Sequence, residues 1–359
     1  MRKAVKTGSP LVLKIGSSSL AMAGGGIDSV AIARTAALVN TGRARGHPTV
    51  LVTSGAVAAG LPALGLARRP ADIVDLQVAA AVGQGKLMEK YSVSFEALGL
   101  VAGQVLLTKE VLANRDQYLN ARAALNRMLA AGIVPVVNEN DTVAVEELRW
   151  GDNDRLAAIV SHLVGAGMLL LLSDTDGLFS ADPRLGDAEL LPAVRHTDQV
   201  LDRLSGTGPL GSGGVEGKVA AARMAAWSGV PTVIASATAT EVVERVLAGE
   251  EVGTWVDPRK ERLPARKLWI AFGQPSAGVL VIDDGAVSAL VDRARSLLPV
   301  GVVDVVGTFP VGSGVEVVDG EGGLVAKGIV QMDAATLTAT KGRRHETEAI
   351  HRDDLVVLR

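Results

Sequence analysis

Five polar, Gly-rich or acid-rich segments of this 359-residue chain carry residue types that could do chemistry, each leaving a short apolar run or opening a helical stretch. In Lys14-Ile15-Gly16-Ser17-Ser18-Ser19 a lysine stands just before a Gly/Ser turn. Such a lysine can reach a phosphate while turn N–H groups point at its oxygens, although an ordinary strand-end lysine would read the same way. In Val52-Thr53-Ser54-Gly55-Ala56-Val57 the serine falls at a helix start. Its hydroxyl and the free N–H groups could hold an anion, or Ser54 could simply cap the helix. Asn138-Glu139-Asn140-Asp141 and Gly151-Asp152-Asn153-Asp154 bring four acids and three amides to one strand exit and one helix start. That is costly unless they meet a ligand or cation, and a helix cap would account for one member only.

Gly206-Thr207-Gly208-Pro209-Leu210-Gly211-Ser212-Gly213-Gly214 precedes a helix bearing Lys218. Glycines let backbone amides approach phosphates closely, and the lysine adds charge on the first turns, yet the GxxxxGK[ST] spacing is absent. Ser173-Asp174-Thr175-Asp176-Gly177 is an acid-rich turn that could hold a ribose, an adenine edge or, indirectly, Mg²⁺; turn chemistry alone also uses Asp and Gly. The five histidines are scattered without metal-ligand spacing, and there is no cysteine, which excludes a thiolate nucleophile, a thiolate zinc site and a disulfide scaffold. Two lysines on Gly-rich loops, acids, amides and no covalent nucleophile point to phosphoryl transfer, which needs positioning and charge neutralisation above all.

The elements that must position these segments alternate. Leu11–Ile15, Thr49–Val52, Val101–Leu107, Ile133–Val137, Met168–Leu172 and Thr232–Ala235 are continuous Val/Ile/Leu-rich runs, the signature of strands buried on both faces. Between them the pattern predicts helices over Asp28–Arg45, Asp72–Leu98, Lys109–Ala131, Asp154–Gly165 and Val215–Gly229. The expected architecture is α/β: a mostly parallel sheet sandwiched by helices, with ligands at the strand exits. After Leu263-Pro264 the texture changes to short strands (Gly278–Ile282, Gly301–Val305, Gly314–Val318, Leu324–Ile329) broken by Asp/Gly turns, as in a small β-barrel-like module. The expected division is therefore 1–262 and 263–359.

Composition narrows the classes further. With 48% apolar residues the chain can bury a large core, and its 36 Lys+Arg against 39 Asp+Glu argue against bulk electrostatic binding of nucleic acid. No run approaches the roughly 20 apolar residues of a membrane span, and Lys14 interrupts the N-terminal apolar stretch too early for a secretion signal. A cytoplasmic protein is expected.

The residues also resemble a known family. VLKIGSSSL (12–20), VTSGAVAAG (52–60), AAVGQ (80–84), LLT (106–108), YLNAR (118–122), IVPVVNENDTVA (133–144), GDNDRLAA (151–158), LLLLSDTDGLFSADPR (169–184), GSGGVEGKVAAA (211–222) and SLLPVGV (296–302) run in order through most of the chain. The chain is similar to the amino acid kinase superfamily with an appended PUA domain, and within it to the members acting on L-glutamate. The resemblance implies an αβα sandwich that phosphorylates the side-chain carboxylate of L-glutamate with Mg²⁺-ATP, giving L-glutamyl 5-phosphate, the first step toward proline. It implies that Lys14 and Lys218 contact the phosphates and that Asp154 orients those lysines. Ser54, Asp141 and Asn153 would bind glutamate. Ser173, Asp174 and the loop Ser212, Gly213, Gly214, Val215, Glu216, Gly217, Lys218 would hold ATP. No protein-bound metal is implied, since Mg²⁺ arrives with ATP. Feedback inhibition by L-proline, a homo-oligomer (dimer or tetramer) and handover to a glutamyl phosphate reductase are further family expectations.

One departure stands out: the family loop reads GTGGM followed by a Thr-Lys pair, whereas here Glu216 and Gly217 precede Lys218. The lost hydroxyl and the added charge bear on ATP affinity. Sister kinases acting on acetylglutamate, aspartate, carbamate or uridylate share the lysine and glycine logic; NENDTVA with GDND and the β-rich tail favour glutamate. PUA modules also occur in RNA-binding proteins, but residues 266–359 carry ten Lys+Arg against twelve Asp+Glu, and RNA binding usually needs a basic face. A regulatory protein that binds without turnover is disfavoured by the intact Lys14, Asp154 and Lys218.

Overall fold

The structure, a computed structural model, describes residues 2, 4–22, 24–112, 114–143, 153–183, 186–204 and 213–358. The chain forms two compact units, residues 1–262 and Leu263–Arg359.

Eight strands build the sheet of the first unit: β1 (Leu11–Ile15), β2 (Thr49–Val52), β3 (Ala102–Leu107), β4 (Val134–Glu139), β5 (Met168–Ser173), β6 (Ala193–Arg195), β7 (Thr232–Ser236) and β8 (Thr254–Asp257), in the order β3-β4-β2-β1-β5-β7-β8-β6. All neighbours are parallel except β7 and β8. The helices are α1 (Ser29–Ala44), α2 (Ala56–Gly60), α3 (Ile73–Glu96), α4 (Arg115–Ala130), α5 (Asn153–Val164), α6 (Gln199–Leu204), α7 (Gly213–Trp227) and α8 (Val242–Leu247).

Both faces of the central strands are dry, as their unbroken apolar runs require: β1, β2, β4 and β5 are buried at every position. Leu11, Leu13 and Ile15 pack into the core shared with α1, α2 and α3. Side chains alternate across a strand, so Val12 and Lys14 go to the other face, where α5 packs on β1, β4 and β5 and α7 packs on α5. The position of Lys14 in the strand thus decides which helix it meets.

The second unit holds α9 (Ala265–Leu268), α10 (Asp284–Val291) and α11 (Ala334–Thr340) with a five-stranded, mostly antiparallel sheet. Its strands are β9 (Val279–Ile282), β10 (Val302–Val306), β11 (Gly314–Val318), β12 (Leu324–Ile329) and β13 (Leu355–Val357), in the order β10-β9-β11-β12-β13. A separate core of Leu280, Val315, Val317, Val325, Leu337 and Ile350 closes it.

Several elements depart from the sequence expectation. The stretch read as one helix over 109–131 opens with a 3-10 turn (Lys109–Leu112) before α4, because Asn114 caps α4 afresh by accepting from Asp116 and Gln117 N–H. β6, β8 and β13 were not expected; each is three or four residues, too short for a periodic signal.

Candidate active site

Parallel strands bring their C-terminal ends to one edge of the sheet, and the polar segments gather there. Lys14 pairs in register with Val52 on β2 and Leu171 on β5, so Thr53-Ser54 and Ser173 leave the sheet on either side of it. Asn138 and Glu139 close the end of β4, next to β2.

Lys14, Asp154 and Lys218 converge. Asp154, on the first turn of α5, lies 2.5 Å from Lys14 Nζ through Oδ1 and 3.2 Å from Lys218 Nζ through Oδ2. Lys218, on α7, also donates to the Gly214 carbonyl oxygen at 3.3 Å. Lys14 is 3% exposed and Asp154 5%. Burial alone would raise the Asp154 carboxyl, but the ammonium groups of Lys14 and Lys218 outweigh it and hold the group below the ordinary carboxylate range. The carboxylate stays charged, and the trio carries one net positive charge toward the strand exits.

A second cluster adjoins it through the chain. Asn153 Nδ2 donates to the Thr53 carbonyl at 2.7 Å, to Ser54 Oγ at 2.9 Å and to Asn138 Oδ1 at 2.9 Å. Asn138 Oδ1 also accepts from the Glu139 N–H at 2.9 Å, and Asn138 Nδ2 donates to Gln84 Oε1 on α3 at 2.8 Å. The backbone donor fixes which end of the Asn138 amide is which, and that in turn orients Asn153 and Gln84. Asn153 Oδ1 is left buried without a hydrogen bond, an acceptor held at the site. Thr53 is steadied by Tyr91, whose hydroxyl lies 2.8 Å from Thr53 Oγ1.

Local backbone chemistry places Ser54. Gly55 has φ of +106°, which glycine adopts at least cost, and turns the chain from β2 into α2. α2 then lies directly on α3: a Cβ on Gly60 would come 2.0 Å from the Ala79 carbonyl oxygen, and one on Gly83 would come 1.9 Å from that of Ala56.

Ser54, Asn153 and Asp141 all line one cavity of about 470 Å³, together with Glu139, Arg68 and Arg69. On the other side of β1, Ser173 is buried and lies within 3.1 Å of Thr175 Oγ1, while Asp174 is exposed. Ser173 is in register with Ser236 on β7, whose Oγ lies 3.0 Å from Thr238 Oγ1 in a matching turn. Gly213, Gly214, Val215, Glu216 and Gly217 form the first turn of α7, with Glu216 exposed. Ser212, the glycines of 206–211, Gly151, Asp152 and Arg184 lie outside the described residues.

The structure therefore joins the expected Lys14, Asp154 and Lys218 in one cluster and the expected Ser54, Asn153 and Asp141 around one cavity. The Ser173 hydroxyl bonds within its own turn, to Thr175, while its carbonyl accepts from Ala237 N–H at 2.8 Å. Sequence reasoning missed Gln84, Arg68, Arg69 and the Ser236–Thr238 turn. For the arginines a signal existed, a basic pair before Pro70 in a short connection; Gln84 ends the AAVGQ stretch of the family resemblance, but nothing in its spacing pointed to Asn138. Among the described residues no group of three or more His, Asp or Glu converges as a metal would require. Asp154, the most buried acid of the site, is taken up by lysines.

The sequence pattern described as the Amino acid kinase family matches residues 9–236, and that of the PUA domain matches residues 278–352. The chain is 48% identical over 374 residues to the glutamate 5-kinase of Frankia casuarinae, covering 100% of this chain and 99% of that one. It is 45% identical over 372 residues to the glutamate 5-kinase of a Marinomonas species, covering 100% of each. Against the glutamate 5-kinase of Streptomyces coelicolor it is 43% identical over 371 residues, covering 99% and 98%.

Proposed function

This chain belongs to the amino acid kinase family, and from that membership we propose its reaction: transfer of the γ-phosphoryl group of ATP to the side-chain carboxylate of L-glutamate, as in the glutamate 5-kinases it matches from end to end. The carboxylate oxygen attacks phosphorus, the bond to the β-phosphate oxygen breaks, and L-glutamyl 5-phosphate and ADP leave. This is an activating step of proline biosynthesis.

The observation that carries the reading at the level of residues is the Lys14–Asp154–Lys218 cluster. A γ-carboxylate is already ionised at neutral pH, so no base is needed; the obstacle is bringing two anions together. Lys14 and Lys218, held by one ionised aspartate, offer cations aimed where charge develops on the transferring group. Asp154 acts as their positioning residue. Ser54 and Asn153 bind glutamate in the cavity beside β2, with Asp141 facing its ammonium group. ATP lies toward β5 and α7, using Ser173, Asp174 and the residues from Ser212 to Lys218. Mg²⁺ enters as part of the nucleotide substrate.

Feedback inhibition by L-proline at or near the glutamate cavity, handover of the labile acyl phosphate to a glutamyl phosphate reductase, and a cytoplasmic location are part of the same proposal. No described helix is long and apolar enough to cross a membrane. A dimer or tetramer is supported by Val74, Val78 and Val82, exposed at four-residue spacing along α3.

Hydroxylamine trapping with Mg²⁺-ATP tests the reaction. Hydroxamate should form with glutamate and not with N-acetylglutamate, aspartate or carbamate, with matching ADP release. Hydroxamate from another acid would move the substrate, and no turnover with any acid would overturn the proposal.

A further inference from the structure

Building on the glutamate reading, we infer that Arg68 is a specificity-determining residue of the cavity, the group that meets the α-carboxylate of the amino acid substrate. Glutamate brings two carboxylates and one ammonium into a cavity whose ionisable lining is Glu139, Asp141, Arg68 and Arg69. Its γ-carboxylate must face the Lys14–Asp154–Lys218 cluster to react, and its ammonium has an acid to meet. The α-carboxylate remains, and a carboxylate taken out of water without a cation or several donors is costly. Lys14 and Lys218 are both bound to Asp154. Ser17, Ser18 and Ser54 offer neutral hydroxyls and the start of α2 offers backbone N–H groups, but none of these brings a full positive charge.

Arg68 is the cation that fits. It is exposed, it lines the cavity, and among the described residues it has neither a hydrogen-bond nor an ion-pair partner. Arg69, its neighbour, is already engaged. The backbone around Arg68 is anchored on both sides. Leu66 N–H returns to the Leu61 carbonyl at 3.0 Å, and Asp72 caps α3 by accepting from Val74 and Asp75 N–H at 2.9 and 3.2 Å. Between these anchors Pro70 removes further freedom. So short a tether keeps residue 68 at the cavity, and a guanidinium carries the planar pair of donors that suits a carboxylate.

The test compares two ligands. 4-Aminobutanoate keeps the reacting carboxylate and the amine of glutamate but lacks the α-carboxylate. In Arg68→Gln the glutamate KM should rise ten- to hundredfold, as expected for loss of a charge-assisted hydrogen bond, with kcat at saturation, ATP KM and Tm near wild type. Inhibition by 4-aminobutanoate should be the same for wild type and Arg68→Gln, and Arg68→Lys should recover part of the glutamate KM. Wild-type turnover of glutamate with an unchanged KM in Arg68→Gln would overturn the role of Arg68 alone. Equal weakening of both ligands would also overturn it, since that marks a general field and not a contact. A wild-type protein inactive with glutamate would overturn the underlying reading and this role with it.

Discussion

Lys14 and Asp154 come within 2.5 Å of each other with both side chains less than a tenth exposed, and the same carboxylate reaches Lys218 at 3.2 Å. One acid thus holds two cations from different elements, β1 and α7, at the strand exits. Replacing it strands a buried ammonium. Asp154→Asn should lower stability by roughly 3–5 kcal/mol, as when one partner of a buried pair is removed. It should also abolish measurable acyl phosphate formation. Urea unfolding with parallel hydroxamate assays checks both, and an active, fully stable variant would contradict the positioning role.

The two sides of the site should separate kinetically. In the proposed reaction Lys218→Ala would take a cation from the transferring phosphoryl group, and it should reduce kcat about 10²–10³-fold with little change in the glutamate KM. Asp141→Ala, at the cavity, should chiefly raise the glutamate KM. Steady-state kinetics showing the opposite pattern would exchange the assignments.

A methyl group between α2 and α3 should be felt at the serine. Gly83→Ala would bring Cβ to 1.9 Å from the Ala56 carbonyl oxygen, which is backbone and cannot swing away. Overpacking of this kind costs about 1–3 kcal/mol or more, so the Tm should fall by several degrees. Because α2 begins just after Ser54-Gly55, the glutamate KM should rise as well. Gly85→Ala, on the same helix with open space around its Cβ, is the control: it should leave the glutamate KM unchanged and hold or slightly raise the Tm, as alanine favours a helix interior by roughly 0.5–1 kcal/mol.

Acid should weaken the fold through His162. Burial first, then the nearby charges of Arg262 and Arg122, lower its pKa to about 4 from an ordinary 6.5, while Tyr118 Oη lies 3.3 Å from Nε2. A depressed histidine stays neutral when folded but takes a proton when unfolded. Its contribution is therefore intact above pH 6.5 and is lost as pH falls from 6.5 to about 4, for a total of about 3 kcal/mol. Denaturant midpoints across that range should decline in wild type and decline less in His162→Gln. Identical slopes would refute the assignment.

Much of the sheet was legible because its strands are buried on both faces, so unbroken apolar runs such as Leu11–Ile15 and Thr49–Val52 give their own limits. Ala193–Arg195 and Thr254–Asp257 were not, since three or four residues at the far end of a sheet carry no period. Lysines on glycine turns were readable as phosphate chemistry from type and order alone. Their meeting at Asp154 was expected only from family resemblance, because it depends on which face of β1 the α5 helix covers. Gln84 was silent for the same reason: its partner Asn138 is set by how α3 rolls over the sheet, and no spacing within the chain encodes that.

The amide chain from Glu139 N–H through Asn138 to Asn153 and Gln84 gives this wall of the cavity a handedness inherited from the main chain. A half-turn of any of these amides would set like against like, oxygen to oxygen or nitrogen to nitrogen, so only one arrangement of the set is coherent. The signal that selects it is a peptide N–H, which every residue except proline supplies. Position 139 can drift in side chain without erasing that instruction. Position 138 is less free: an aspartate there would still accept from the backbone, but its second oxygen can only accept, so Gln84 would have to turn and present Nε2 in place of Oε1.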